Sequence, residues 1–78
     1  MEKIPLTPKQ QSLYDFLELY FKEYDYMPTI QDIIEGKVKE EKVLKFRGNG
    51  NIADMLERIE KKGWIKRNRG KHRAIKLL

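Results

Sequence analysis

Between residues 8 and 24 apolar side chains recur at spacings of three and four, at Leu13, Phe16, Leu17, Tyr20, Phe21 and Tyr24. That period places them on one stripe of an α-helix, and a stripe this broad has to pack against something. Thr7-Pro8-Lys9-Gln10 predicts where the helix starts: Thr7 caps free amides, Pro8 sits where no N–H is needed, and Gln10 reaches back to the cap. A helix over about Pro8 to Tyr24 follows.

Asp25-Tyr26-Met27-Pro28 breaks the pattern, because proline biases its predecessor away from helix. Thr29-Ile30-Gln31-Asp32 then repeats the capping signature and predicts a short second helix, Ile30 to about Glu35, with Ile30, Ile33 and Ile34 inward and Gly36 as a left-handed stop. Lys37 to Phe46 fits neither a long helix nor a clean strand. It predicts a lengthened connection with a short strand around Val43 to Phe46.

Arg47-Gly48-Asn49-Gly50-Asn51 is rich in turn-formers and ends in a candidate cap, Asn51, three residues before Asp54. A third helix over about Ile52 to Lys62 buries Ile52, Met55, Leu56 and Ile59, with Gly63 closing it. Its other face carries Gly50, Ala53, Asp54, Glu57, Arg58 and Lys61. Two short strands follow, Trp64 to Arg67 and Arg73 to Leu77, the second with Ile75 and Leu77 inward and Lys76 outward. Asn68 to His72 is the tip between them. Trp64, straight after the helix stop, is expected to pack across the core with its indole N–H near the surface.

Charge adds direction to this layout. Residues 1–36 carry three bases against seven acids, residues 37–78 fourteen against five, and Lys61 to Leu78 hold eight Lys or Arg and no acid. A cationic surface of that density asks for a polyanion, although anionic lipid or an acidic protein satisfies charge alone equally well. Mainly α with a small β-hairpin, three helices and a basic hairpin tip: this is the outline of a winged helix-turn-helix, in which the amino end of the third helix enters a major groove and the hairpin lies on flanking backbone or minor groove.

Seventy-eight residues predict a single domain. The chain has no cysteine, so disulfides and thiolate chemistry are excluded and a cytoplasmic setting is expected. No apolar run approaches the ~20 residues of a membrane span, and the N-terminus lacks a signal pattern, so the mature chain is expected to begin near Met1. The single histidine, His72, lies in the basic hairpin, and Asp32 and Asp54 read as helix-cap partners rather than a catalytic pair. Neither catalysis nor a cofactor or metal is expected.

Four fragments, in the right order and at matching separations, resemble the N-terminal DNA-binding domain of LexA-type repressors. Leu6-Thr7-Pro8-Lys9-Gln10-Gln11 resembles its opening L-T-x-x-Q-x, and Met27-Pro28-Thr29 with Asp32-Ile33 resembles P-P-T-x-x-E-I. Phe46-Arg47 followed by Leu56, Lys62-Gly63 and Ile65 resembles F-R-S-x-x-x-x-x-x-x-L, K-G and I. Ala74-Ile75-Lys76-Leu77-Leu78 resembles the closing G-I-R-L-L. The resemblance implies a winged-helix fold and sequence-specific binding of double-stranded DNA by the third helix, supported by the wing.

Two departures stand out. Between Gly36 and Phe46 the chain is longer than the family pattern by about seven residues. The family's base-contacting face, S-x-N-A-x-E-E, aligns with Gly48, Gly50, Asn51, Ala53 and Asp54, where only Asn51 and Asp54 remain polar. Asparagine pairs with adenine through two hydrogen bonds and aspartate accepts from the cytosine amino group, so both still suit base reading, while the glycines let backbone approach phosphate. Asn51 reads equally well as the helix cap alone, and the two roles are compatible.

The candidate DNA contacts are therefore Arg47, Asn49, Asn51, Asp54, Arg58 and Lys61 on and before the third helix, Thr29 and Gln31 at the second, and Arg67, Asn68, Arg69, Lys71 and Arg73 in the wing. Full-length family members add a self-cleavage domain with a serine and lysine pair and a dimer interface. Neither is found in these residues, which implies an excised DNA-binding module or a short relative without the switch. Pairing on DNA as a homodimer, or through a fused or partner domain, is expected; a membrane partner is not. Two other readings stay open: a winged helix used for protein interaction or assembly, and recognition of double-stranded RNA or another non-B duplex by shape.

Overall fold

A computed structural model describes residues 3–44, 52–68 and 75–78. The described residues form three helices and two antiparallel strand pairs: α1 (Pro8–Tyr24), α2 (Ile30–Glu35), β1 (Lys37–Val38), β2 (Glu41–Lys42), α3 (Ile52–Lys61), β3 (Ile65–Arg67) and β4 (Ile75–Leu77). This is the winged helix-turn-helix plan, mainly α-helical with short two-stranded ribbons.

Local chemistry sets the helix limits. At α1 the Gln10 amide donates to Thr7 Oγ1 over 3.3 Å while the Thr7 amide donates to Gln10 Oε1 over 3.1 Å, and Pro8 occupies the first turn. These contacts satisfy donors that a helix start leaves open. At the other end Asp25, at φ 61°, turns the chain out of α1. The start of α2 repeats the device with Thr29 and Asp32, and Asp32 Oδ2 also accepts from the Tyr20 hydroxyl at 3.2 Å, which ties that cap to α1.

Leu13, Phe16, Leu17 and Tyr20 of α1, Ile33 of α2 and Ile52, Met55, Leu56 and Ile59 of α3 form one core with Ile65 and Ile75. Two expectations fail here. Phe21 is 44% exposed: it shares a flank of α1 with Tyr14, and Trp64 covers Tyr14 edge-on with ring centroids 5.2 Å apart, but Phe21 lies about two turns farther along. In α2 only Ile33 is buried, whereas Ile30 and Ile34 are 43% and 36% exposed. So short a helix turns one ridge inward, through Ile33 and the buried Gly36, and leaves the Ile30–Ile34 ridge outside.

The connection after α2 also differs from expectation. Strand structure lies at Lys37–Val38 and Glu41–Lys42 rather than around Val43, with Lys37 opposite Lys42 and Val38 opposite Glu41; Phe46 lies outside the described residues. Lys39 and Glu40 turn the ribbon with φ of 50° and 69°, the doubly positive geometry of the tightest hairpins. Lys39 is held there by its amide donating to the Tyr24 hydroxyl at 2.6 Å and by its ammonium 2.8 Å from Glu23. Gly36 O accepts from both Val43 and Leu44 amides, at 2.8 and 3.0 Å. The extra residues thus close on themselves as a side branch whose entry and exit lie together.

At the end of α3 the Gly63 amide donates to Glu60 O and the Trp64 amide to Ile59 O, with Gly63 at φ 91°. This paired closure reverses the chain sharply. β3 and β4 follow with Ile65 opposite Leu77, Lys66 opposite Lys76 and Arg67 opposite Ile75. The N-terminal segment fastens the base of this ribbon: the Ile4 amide donates to Lys62 O at 2.9 Å, and Trp64 Nε1 donates to Ile4 O at 2.7 Å.

Candidate nucleic-acid interface

Burying Ile52, Met55, Leu56 and Ile59 turns Ala53, Asp54, Arg58 and Lys61 to solvent. On that face Arg58 Nε lies 3.0 Å from Asp54 Oδ2, and Lys61 Nζ lies 3.5 Å from Glu57 Oε1, both at i,i+4 with the acid first. This order favours the helix dipole. The Asp54 and Arg58 side chains are 56% and 64% exposed, so their mutual attraction is screened and weak. A phosphate or base edge exchanges for such a partner at little cost.

β3 runs back along α3. Trp64 begins beside the end of the helix, whereas Arg67 at the far end of β3 places Nη1 3.4 Å from Ala53 O in the first turn. The Arg67 side chain therefore reaches from β3 to the amino-terminal turn of α3. Ile52, Met55 and Ile59 face the core.

The candidates differ in what already holds them. Thr29 is engaged in its own helix cap, its oxygen accepting from the Asp32 amide at 3.2 Å. Gln31, Asn68, Asp54, Arg58 and Lys61 are exposed. Arg67 is largely covered, its side chain only 16% exposed, with Nε 3.3 Å from Glu60 Oε1 and its amide donating to Glu60 Oε2 at 2.9 Å. Arg47, Asn49, Asn51, Arg69, Lys71 and Arg73, with Gly48, Gly50 and His72, lie outside the described residues.

Two features escaped the sequence. The strand register sets Lys66 directly across from Lys76, both exposed, a like-charge pair on the outer face of the ribbon. Glu60 was also missed as the partner of Arg67. Strand alternation held the clue: if Ile65 faces the core, so does Arg67.

Among the described residues no group of three or more His, Cys, Asp or Glu is placed to hold a metal ion. Among them, too, no helix is long and apolar enough to cross a membrane.

Residues 3–74 match the family model described as LexA DNA binding domain. The chain is similar to the LexA repressor of Geobacter metallireducens, 36% identical over 73 residues covering 94% of this chain and 33% of that protein. It is 32% identical over 76 residues to the LexA repressor of Caldicellulosiruptor saccharolyticus, covering 97% and 34%. With the LexA repressor of Bacillus mycoides the identity is 33% over 78 residues, covering 100% and 34%. The chain spans about a third of the length of these curated relatives.

Proposed function

Because the chain belongs to the LexA DNA-binding domain family and is in that sense a DNA-binding regulatory module, we propose that it recognises a specific double-stranded DNA sequence and represses transcription by occupying it. The matched unit is a binding domain, not a catalytic one.

One observation carries the proposal: β3 turns back along α3, its Arg67 amide held on Glu60 and its guanidinium reaching Ala53 O in the first turn. A reading helix and a cationic ribbon then work along one duplex. In this proposal Asp54 reads a base edge, with Asn51 from the segment before it, while Arg58, Lys61, Asn68 and the cations Arg69, Lys71 and Arg73 meet phosphate. Arg47, Asn49, Thr29 and Gln31 add backbone contacts at the flanks. Among the wing cations Arg67 is set apart by its engagement with Glu60.

A domain this small covers few base pairs, so the proposal includes pairing on DNA, by a second copy or an attached domain, and action in the cytoplasm. Titration of a random-sequence duplex at stepped salt tests the electrostatic half. The logarithm of affinity should fall linearly with that of salt, and Arg58→Gln or Lys61→Gln should each reduce the slope by about 0.9. Binding indifferent to salt, or no binding, rejects the proposal.

A further inference from the structure

Arg67 belongs to the most cationic stretch of the chain, yet it makes three contacts with α3. Its amide donates to Glu60 Oε2 at 2.9 Å, its Nε donates to Glu60 Oε1 at 3.3 Å, and its Nη1 reaches Ala53 O at 3.4 Å. Ala53 and Glu60 are seven residues apart on α3, about 10 Å along the axis. Helical side chains lean toward the amino end, so the Glu60 carboxylate lies over the preceding turn and the guanidinium spans the remaining gap. One side chain is thus fixed at two levels of the helix, with its own backbone fastened to the same carboxylate.

We propose that Glu60 and Arg67 form a brace that fixes the direction of β3 against α3, making both positioning residues for DNA binding and Arg67 no phosphate contact. A single contact would let the ribbon swivel about it; contacts at two separated points on α3 remove that freedom. Guanidinium geometry matters, because Nε and Nη1 have to serve the two points at once, which an ammonium cannot do. The brace rests on the reading that helix and ribbon share one duplex only for its effect on affinity, since its mechanical role exists without DNA.

The two roles give Glu60 opposite signs. If Arg67 met phosphate, Glu60 would compete for it, and Glu60→Ala would free a cation, remove an anion and tighten binding. As a brace, Glu60→Ala and Arg67→Ala each weaken duplex binding by roughly three- to tenfold with the salt slope unchanged, and the double variant is no worse than either single one. Arg67→Lys keeps the charge but behaves like Arg67→Ala.

The experiment combines titration of the intact chain with a random-sequence duplex at several salt concentrations and hydrogen exchange of the Arg67 amide without DNA. Exchange should quicken by roughly tenfold or more in Glu60→Ala. Glu60→Leu, which fills similar space but offers no acceptor, replaces it if the alanine variant does not fold. Tighter binding on loss of Glu60, a slope reduced by about 0.9 in Arg67→Ala, wild-type affinity in Arg67→Lys, or an unchanged Arg67 exchange rate overturns the brace. If the wild-type chain leaves duplex unbound, the proposed function fails and the exchange result alone decides the brace.

Discussion

Lys66 and Lys76 stand directly opposite each other across β3 and β4, both exposed. Like charges so placed destabilise a ribbon. A bound polyanion turns that cost into an attraction. Replacing both with glutamine should raise the unfolding free energy by ~0.5 kcal/mol, a few degrees in thermal midpoint, while weakening duplex binding and flattening its salt dependence. Paired thermal melts and titrations check this; a variant that gains stability and keeps full affinity would remove these lysines from the interface.

Gly36 holds φ 64° at the end of α2, and a Cβ there would lie 2.9 Å from Leu44 O and 3.0 Å from Leu44 Cβ. Both objections act on Gly36→Ala, the backbone one alone costing about 1 to 2 kcal/mol. Denaturant unfolding should therefore show a loss above 1 kcal/mol, roughly. Because Gly36 O also receives Val43 and Leu44, amide protection at those two residues should fall first.

Glu23 titrates below its usual 4.5, chiefly because Lys39 donates a hydrogen bond to its carboxylate and also attracts it by charge. Lys39 is correspondingly raised above its usual 10.5. A depressed carboxylate contributes stability that is present above about 4.5 and lost as pH falls through the lower folded value. The raised ammonium contributes below 10.5 and loses that contribution as pH climbs through its folded value. An NMR pH titration should place the Glu23 midpoint below that of an unfolded peptide, and Lys39→Gln should move it back up. The pair is open to solvent, so global stability should shift little.

Ile59, on α3, is fully buried in the shared hydrophobic core. Ile59→Ala should cost about 2 to 5 kcal/mol. Against the ~5 to 10 kcal/mol that a chain of this size commands, this is a large share of the stability, readable by circular dichroism as a thermal midpoint lowered by roughly ten degrees or more.

Helices were legible because their signals are local. Thr7, Pro8 and Gln10 fixed the start of α1, and Ile52, Met55, Leu56 and Ile59 fixed the buried face of α3. The β1–β2 hairpin was not legible: its turn is Lys39-Glu40, without the glycine or asparagine that positive φ ordinarily selects, and what stabilises it is Tyr24 and Glu23, distant in sequence. Ile30 and Ile34 show the reverse limit, since apolar spacing says which residues share a ridge and not how many ridges a neighbour covers. In the candidate interface the charged face of α3 was legible from periodicity, whereas the Glu60–Arg67 pairing depends on how β3 folds back.

Sequence-specific reading by α3 is the central claim, and selection of bound duplexes from a random pool tests it most directly. The account predicts that a defined motif is enriched, and that Asp54→Ala relaxes the preference at one base pair by about 1 kcal/mol, as the loss of one contact to a cytosine amino group implies. A pool that remains random after repeated rounds, with the protein retaining every duplex alike, would contradict it.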